Sequence, residues 1–217
     1  MTGEWHPAFE EYCEAIFELD EDDVDVIRAR IADRLGISRP AVSEMIKRLQ
    51  AEGLVVTEPR ISLTLSGAVL AERVVRRHRL AECFLTQILG LSWAEAHREA
   101  GKWEHVMSES VERAINAMLG GPTTCPHGNP IPGSDYVAQP VRRLGDLPEG
   151  TTFIVARIPE ELEFVPGMLD FLEQSAITPG TSGQVAVSGA DGSVQVEIGG
   201  RRVGVDEFAS RRILVTV

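Results

Sequence analysis

The segment RARIADRLGISRPAVSEMIKRLQAEGLV, residues 28–55, decides how the N-terminal part of this chain folds. Its apolar residues recur at helical spacing as far as Leu35, and Gly36 is suited to end the helix that they define. Ser38 then has the properties of an N-cap, and Pro40 stands early in a second helix, where its missing N–H does no harm. Two short helices joined by a tight turn predict a helix–turn–helix, a motif that can place its second helix in the major groove of DNA.

The residues before and after this segment complete a winged helix. An amphipathic helix is predicted over residues 8–19, followed by a second one from Val24 to Leu35. After the helix–turn–helix, two short strands are predicted at 54–56 and 61–65, around a tight turn. The order helix, helix, turn, helix, hairpin is that of a winged helix–turn–helix. Acidic residues on the polar side of the first helix are Glu11, Glu14 and Glu18.

The rest of the chain divides into a helical part and a β-rich part. A long helix is predicted to begin at Ser66, and a capping box formed by Ser92 and Glu95 opens the next one. Glycine- and proline-rich sequence then breaks the helical pattern, and residues 151–217 hold β-rich runs with a short helix near 168–173. The predicted fold class is mainly α plus β, with a winged helix–turn–helix at residues 1–73, a helical dimerisation domain at 74–140 and a small β-barrel at 141–217.

Composition excludes several classes of protein. The 217 residues contain no apolar run approaching 18 residues, so no membrane span is expected. The N-terminal stretch MTGEWHPAFEEY lacks the apolar core of a signal peptide. Three widely spaced cysteines, Cys13, Cys83 and Cys125, suit a reducing compartment better than a disulfide framework. Together these features predict a cytoplasmic protein.

Charge is distributed unevenly along the chain. The formal net charge is −12, but residues 26–80 carry eleven Lys and Arg against five acids, a net +6. A basic block inside an acidic protein attracts polyanions, which agrees with DNA binding through the helix–turn–helix. The predicted DNA contacts are Ser38, Arg39, Pro40, Ser43 and Glu44 at the start of the second helix, where bases are read, and Arg28, Arg30, Lys47, Arg48 and Arg60 for phosphates.

Two further segments carry possible metal ligands. HRLAE at 78–82 and HREAGKWEH at 97–105 place histidines and carboxylates four residues apart on helix faces. Imidazoles and carboxylates on two helices that pack together are what a divalent transition-metal site needs. Neither Cys83 nor Cys125 has CxxC spacing, and His127, in the turn CPHGNPIPG, is assigned a structural role.

These motifs together resemble the diphtheria toxin repressor family of metal-dependent transcriptional repressors. The helix–turn–helix, RRHRLAECFL, HREAGKWEHVMSESVERAI and CPHGNPIPG match the family in order, and the resemblance covers nearly the whole chain. It implies a homodimer that binds a palindromic operator when loaded with metal, and it implies that the tail is an SH3-like third domain.

The resemblance also implies two neighbouring metal positions. One uses His78, Glu82 and His97 with help from the third domain, where Glu163 lies near the expected segment; the other uses Glu11, Gly101, Glu104 and His105. Iron-responsive members carry methionine and cysteine where this chain has Glu11 and Gly101, whereas manganese-responsive members carry carboxylates there and one that matches Glu14. This chain has the carboxylates at Glu11 and Glu14, but Gly101 offers no side chain. The two carboxylates favour Mn²⁺ over Fe²⁺, with Co²⁺, Ni²⁺ and Zn²⁺ as metals that bind in vitro.

Three other functions remain open at this point. A winged-helix regulator gated by an organic ligand would need an apolar pocket and no metal response. A metal buffer would not need the helix–turn–helix. A metal-dependent hydrolase is formally possible, but the chain has no P-loop, no GxSxG and no HExxH, so no enzyme activity is expected.

Overall fold

The computed structural model describes residues 7–217. Residues 1–6 lie outside this range; His6, which the sequence does not predict as a ligand, and half of the stretch examined for a signal peptide fall among them. Within the range described, no helix is both long enough and apolar enough to cross a membrane.

The N-terminal part forms the predicted winged helix. Its elements are α1 (Pro7–Glu21), α2 (Arg28–Leu35), α3 (Arg39–Ala51), β1 (Val55–Val56) and β2 (Ser62–Leu63), and the two strands pair antiparallel. Gly36 ends α2 in the left-handed region at φ 64°, and the Ser38 hydroxyl accepts a hydrogen bond from the Ala41 N–H. Helix α2 is shorter than predicted: it begins at Arg28, whereas the sequence predicted a start at Val24. Cys13, Ile31, Val42 and Leu49 are among the fully buried residues of this core.

Three helices follow, and the first connects the winged helix to the next two. They are α4 (Leu65–Gln87), α5 (Trp93–Trp103) and α6 (Glu109–Met118). Helix α4 is capped by Thr64, whose hydroxyl oxygen accepts from the Gly67 N–H at 3.1 Å, and not by the predicted Ser66. The predicted Ser92–Glu95 capping box opens α5. The boundary at 73/74 falls inside α4 and stays a prediction.

The C-terminal part is a six-stranded antiparallel sheet with short helices. Its elements are β3 (Arg142–Arg143), β4 (Thr152–Arg157), α7 (Glu160–Glu163), α8 (Met168–Gln174), β5 (Ser182–Ser188), β6 (Val194–Ile198), β7 (Arg201–Val205), α9 (Glu207–Ser210) and β8 (Leu214–Thr216). The strand order is β3-β8-β4-β5-β6-β7. The predicted α-plus-β class with an SH3-like tail is confirmed. The sequence missed β3, β7, α7 and α9, which have two to five residues each.

The turn at 125–131 holds the β-rich part against the helices. The Ile158 N–H donates to the His127 carbonyl at 2.8 Å. Gly128 has φ +87°, and a Cβ there would lie 2.3 Å from the Ala156 carbonyl oxygen, so only glycine permits this approach. The contact brings α7 of the third part close to α4 and α5.

We predict opposite effects of alanine at two helical glycines. A Cβ on Gly67 would lie 2.0 Å from the Leu54 carbonyl oxygen, whereas a Cβ on Gly101 would meet nothing within 4 Å. Gly67→Ala should therefore cost about 1–3 kcal/mol of unfolding free energy through overpacking. Gly101→Ala should add up to about 1 kcal/mol through helix propensity.

Urea denaturation of the metal-free variants measures both effects. The two substitutions are chemically the same, so Gly101→Ala is the control for Gly67→Ala. Equal unfolding midpoints for the two variants would show that the contact between Gly67 and the Leu54 carbonyl is not tight.

Candidate metal centre

Helices α4 and α5 bring three predicted ligands together. His78 and Glu82 lie one turn apart on α4, and the His78 Nε2 atom lies 3.2 Å from Glu82 Oε1. On α5, the His97 Nδ1 atom lies 3.0 Å from the same Glu82 oxygen and 3.2 Å from His78 Nε2. Glu82 is fully buried. This α4–α5 cluster is the set that the resemblance assigned to one metal position.

A second group of donors joins α1 to the end of α5. Glu14, Glu104 and His105 each offer a ligand atom within 4.8 Å of the others. Glu104 also contacts the first group, since its Oε2 atom lies 2.5 Å from His78 Nδ1. The His105 Nδ1 atom lies 2.9 Å from an oxygen of Glu10. This α1 cluster is therefore continuous with the α4–α5 cluster.

One acidic face of α1 points into the interior and not into solvent. Glu10, Glu14 and Glu18 recur at four-residue spacing, and all three are buried. Glu11 is offset from that face by about 100°. It is exposed, and it lines a cavity of about 540 Å³ together with Gly101. The structure thus places Glu14 among the donors and Glu11 at the rim of their cavity.

The third domain supplies Glu163, as the sequence suggested. Its Oε2 atom lies 3.2 Å from His97 Nδ1 and 2.9 Å from His127 Nδ1. Its other oxygen accepts a hydrogen bond from the Asn129 amide at 2.7 Å. Glu160, one turn earlier on α7, belongs to a group with His97 and Glu163. Gly167 lies on the cavity wall.

Two side chains that the sequence did not assign as ligands complete the centre. His127 and Cys125 are buried and form a group with Glu82, whose Oε2 atom lies 3.5 Å from His127 Nδ1. The Cys125 Sγ atom lies 3.8 Å from the same ring nitrogen. This placement favours a metal-binding role for His127 over the structural role. The signal was the Cys-x-His spacing in a tight turn, which a search for CxxC pairs does not detect.

Burial and mutual contact set the protonation of these groups. Burial lowers the pKa of His97, but hydrogen bonds with Glu163 and Glu82 outweigh it and raise that pKa to about 10. Burial raises the pKa of Glu163, but His127 outweighs it and holds that pKa at about 2. For Glu14, burial together with Glu104 and Glu18 outweighs the lowering effect of His78 and raises its pKa well above the usual range. The metal-free cluster therefore balances its carboxylates with imidazole protons, which a cation would displace.

The donor set fits a divalent transition metal. Two buried polar atoms here, His127 Nε2 and Glu160 Oε2, have no hydrogen-bond partner among the described residues, although buried polar atoms are ordinarily paired. Glu82 Oε2 and Glu163 Oε2 face only the nitrogen atoms of histidine rings. Buried carboxylates need a compensating charge, and imidazole, carboxylate and thiol are ligands that such metals accept. The centre therefore has both the unsatisfied atoms and the chemistry for metal.

The predicted DNA contacts lie on the surface of the winged helix. Val42 points into the core, and most of the contact set is exposed, with Ser43 half-buried. Lys47 pairs with Glu44 at 2.8 Å, and the Arg48 guanidinium lies 5.3 Å from the centre of the Phe9 ring. The exposed predicted contacts are Arg28, Arg30, Ser38, Arg39, Pro40, Glu44, Lys47, Arg48 and Arg60. The start of α3 is therefore accessible to a ligand as large as DNA.

A winged helix with an exposed basic surface, joined to a buried carboxylate–imidazole centre, defines the class of metal-responsive DNA-binding regulators. Two family models match consecutive parts of the chain. The N-terminal DNA binding domain of the iron dependent repressors matches residues 5–63, and their metal binding and dimerisation domain matches residues 64–133.

Individual proteins agree with the family models. The iron-dependent repressor IdeR of Mycobacterium leprae is 39% identical over 204 residues, which are 88% of this chain and 88% of that protein. The diphtheria toxin repressor of Corynebacterium efficiens is 38% identical over 205 residues, 89% of this chain and 88% of that one. A solved manganese-dependent transcriptional repressor in complex with manganese has a TM-score of 0.86 and 33% identity, covering 96% of this chain and 99% of its own. The chain belongs to the iron-dependent repressor family, whose members are transcriptional repressors.

We predict that Glu14 contributes more to metal binding than Glu11 does. Glu14→Ala removes a buried carboxylate from the α1 cluster and should weaken Mn²⁺ binding more than about 100-fold, since even partners behind the ligands cost about 10–100-fold. Glu11→Ala removes an exposed carboxylate from the same helix and should cost less than about tenfold. Calorimetry with Mn²⁺ measures both. Equal losses would show that Glu11 reaches the metal, as the sequence alone suggests.

Proposed function

We propose that this protein is a metal-activated, DNA-binding transcriptional repressor that controls metal homeostasis genes. The observation that carries the proposal is the α1 cluster. Glu14 belongs to the winged helix, whereas Glu104 and His105 lie in the turn that directly follows α5. A donor set that spans both parts ties the position of the DNA-binding helices to metal occupancy.

The protein's own residues explain how the signal is transmitted. A bound divalent cation supplies positive charge among the buried carboxylates and fixes their geometry. Glu14, Glu104 and His105 would hold it, which restrains α1 against α5. Helix α1 packs in the same core as α2 and α3, so the recognition helix is restrained with it. A preference of roughly 3 kcal/mol for the DNA-competent arrangement changes affinity more than a hundredfold.

The DNA partner is a duplex with two-fold symmetry. The chain matches a dimerisation domain, and a homodimer presents two copies of α3. Such copies fit half-sites about 34 Å apart, which makes the operator palindromic. Ser38, Arg39, Pro40, Ser43 and Glu44 would read bases, and Arg28, Arg30, Lys47, Arg48 and Arg60 would contact phosphates.

Donor chemistry at the α1 cluster favours Mn²⁺ over Fe²⁺. The cluster offers carboxylate oxygen and imidazole nitrogen, and Gly101 beside it adds no sulfur. Cys125 brings a thiol to the other end of the centre, where His78, Glu82, His97, His127 and Glu163 are the remaining donors. We therefore assign the α1 cluster to Mn²⁺ or Fe²⁺ in that order, with Co²⁺, Ni²⁺ and Zn²⁺ as substitutes in vitro.

The metal-gated function is favoured over the organic-ligand alternative by the cavity itself. Its walls combine apolar side chains with a group of carboxylates and imidazoles, which favours a cation as the ligand: Glu14, Glu18, His78, Glu104 and His105. We propose no catalytic role for these residues, because each is explained by metal binding. The cytoplasmic location stays a prediction from the cysteines and composition.

We predict metal-dependent and salt-sensitive DNA binding. The duplex is the one that the Mn²⁺-loaded protein selects from a random pool. Chelation should weaken binding more than about 100-fold. Raising salt from about 50 to 200 mM should weaken it about a thousandfold or more if six or more phosphates are contacted. Fluorescence anisotropy measures both, and equal affinity with and without chelator would refute metal gating.

We predict that a thiol at position 101 changes the metal response. Gly101 lines the cavity, and a Cβ there meets open space, so Gly101→Cys should fit and add a soft ligand. Activation should shift from Mn²⁺ toward Fe²⁺ and Co²⁺. Gly101→Ser is the matched control, because serine has nearly the same size without sulfur. DNA binding is titrated against buffered Mn²⁺ and Co²⁺, and the same metal order in both variants would contradict a role for position 101.

A further inference from the structure

Behind the metal donors lies a buried polar network that leads to the end of α1. The Asn129 amide group donates to Glu163 Oε1 at 2.7 Å and to the Ile158 carbonyl at 3.0 Å. The Asn129 carbonyl oxygen accepts from the Arg157 guanidinium. Arg157 in turn donates to Glu21 at 2.9 Å and to Asp22 at 2.5 Å. One amide and one guanidinium thus connect a metal donor to the last turn of α1.

A second branch runs beside the first. Arg79 of α4 is fully buried and donates to both oxygens of Glu21, at 3.0 and 2.6 Å. It also donates to Glu160 Oε1 at 3.0 Å and to the Pro130 carbonyl at 2.5 Å. Glu21 therefore accepts hydrogen bonds from two arginines, one from the helical part and one from the third domain.

The network holds α7 by its backbone as well. The Glu161 N–H donates to Asp22 Oδ2 at 3.1 Å, so both oxygens of Asp22 are bound by the third domain. Helix α7 has only four residues, and it carries Glu163. A movement of the Glu163 backbone toward a cation would move α7, and α7 is hydrogen-bonded to Asp22, the residue that follows α1. The chain then leads directly into α2 of the helix–turn–helix.

We propose that Arg157 is a positioning residue that couples the third-domain side of the metal centre to the DNA-binding helices. The inference rests on the proposed function and deepens it. It adds a second route of coupling, separate from the α1 cluster, because Arg157 is not in any of the donor groups found among residues 7–217. The arrangement of α7 that presents Glu163 to the centre is the one in which Arg157 and Glu161 bind Asp22.

The energetics favour coupling over simple stabilisation. A buried ion pair contributes little net stability, because desolvation offsets its attraction. Arg157 and Asp22 retain only 14% and 2% of their side-chain exposure, so the pair is largely desolvated. Separating Arg157 from Asp22 would leave a buried charge uncompensated. The arrangement in which the two side chains are paired is therefore strongly preferred. Coupling between two sites is reciprocal, so DNA must strengthen metal binding by the factor with which metal strengthens DNA binding.

This reciprocity gives the test. Mn²⁺ affinity is measured by calorimetry with and without the selected duplex, and the two values give one ratio. Duplex affinity is measured with and without Mn²⁺, and these two values give the second ratio. We expect Arg157→Gln to reduce both ratios by the same factor, about tenfold, within the 5- to 150-fold range of known couplings. Mn²⁺ affinity without DNA should change less than about threefold, since the donors of the centre remain. Arg211→Gln is the matched control, because Arg211 pairs with Glu207 inside one exposed helix turn.

A second variant and a second readout guard against misfolding. Asp22→Asn keeps the size of the side chain and removes the charge that Arg157 pairs with, so it should reduce both ratios too. Hydrogen exchange in residues 18–27 should slow on adding Mn²⁺ in the wild type and in Arg211→Gln, but much less in either network variant. A merely structural role would speed exchange equally with and without Mn²⁺ and leave the ratios unchanged.

The outcomes separate this inference from the proposed function. If wild-type protein shows no effect of Mn²⁺ on DNA binding, the proposed function fails and the inference with it. If the wild type responds and both network variants keep its ratios, only the coupling role of Arg157 is overturned. Reduced ratios with retained Mn²⁺ affinity support it.

Discussion

Burial of carboxylates around the His78 imidazole is the constraint on which the rest of the structure depends. Glu82 and Glu104 both contact that ring, and Glu14 lies beside Glu104. Charges of one sign are not stable together in an interior unless cations or protons balance them. Imidazole protons can supply that balance, since hydrogen bonds with Glu163 and Glu82 raise the pKa of His97 to about 10, and the family to which the chain belongs binds metal. The elements around the His78 ring each contribute a carboxylate or an imidazole to this balance of charge. They are α1, α5 with the turn after it, the 125–131 turn and α7.

Periodicity was enough to predict the helical half of the fold and to place His78 and Glu82 side by side. His78 and Glu82 stand four residues apart, so a helix through them places both on one face whatever it packs against. Ser38 and the Ser92–Glu95 box mark helix starts by local hydrogen bonds, which the structure contains. Local signals succeed where the interaction joins residues close in sequence.

The parts that sequence did not predict depend on contacts between distant residues. The rotation of α1 that buries Glu14 and exposes Glu11 follows from packing on α4 and α5, and an acidic helix face is otherwise expected to meet solvent. His127 and Cys125 become donors only because their turn folds onto Glu82, about 40 positions earlier in the chain. Helix α7 has four residues, too few for a periodic pattern. In each case the partner is separated from the residue by a long loop or by a whole element.

The distribution of donors over five chain segments has a functional consequence. A site built within one helix pair could bind metal without moving the DNA-binding surface. Here one end of the centre includes Glu14 of α1, and the other includes Glu163 of α7, which Asn129 and Arg157 connect to Asp22. Both ends therefore act on the same helix, at its middle and at its C-terminus. In the proposed function, restraint at two points would fix the direction of α1 as well as its position, and that direction would set where α3 points in a dimer.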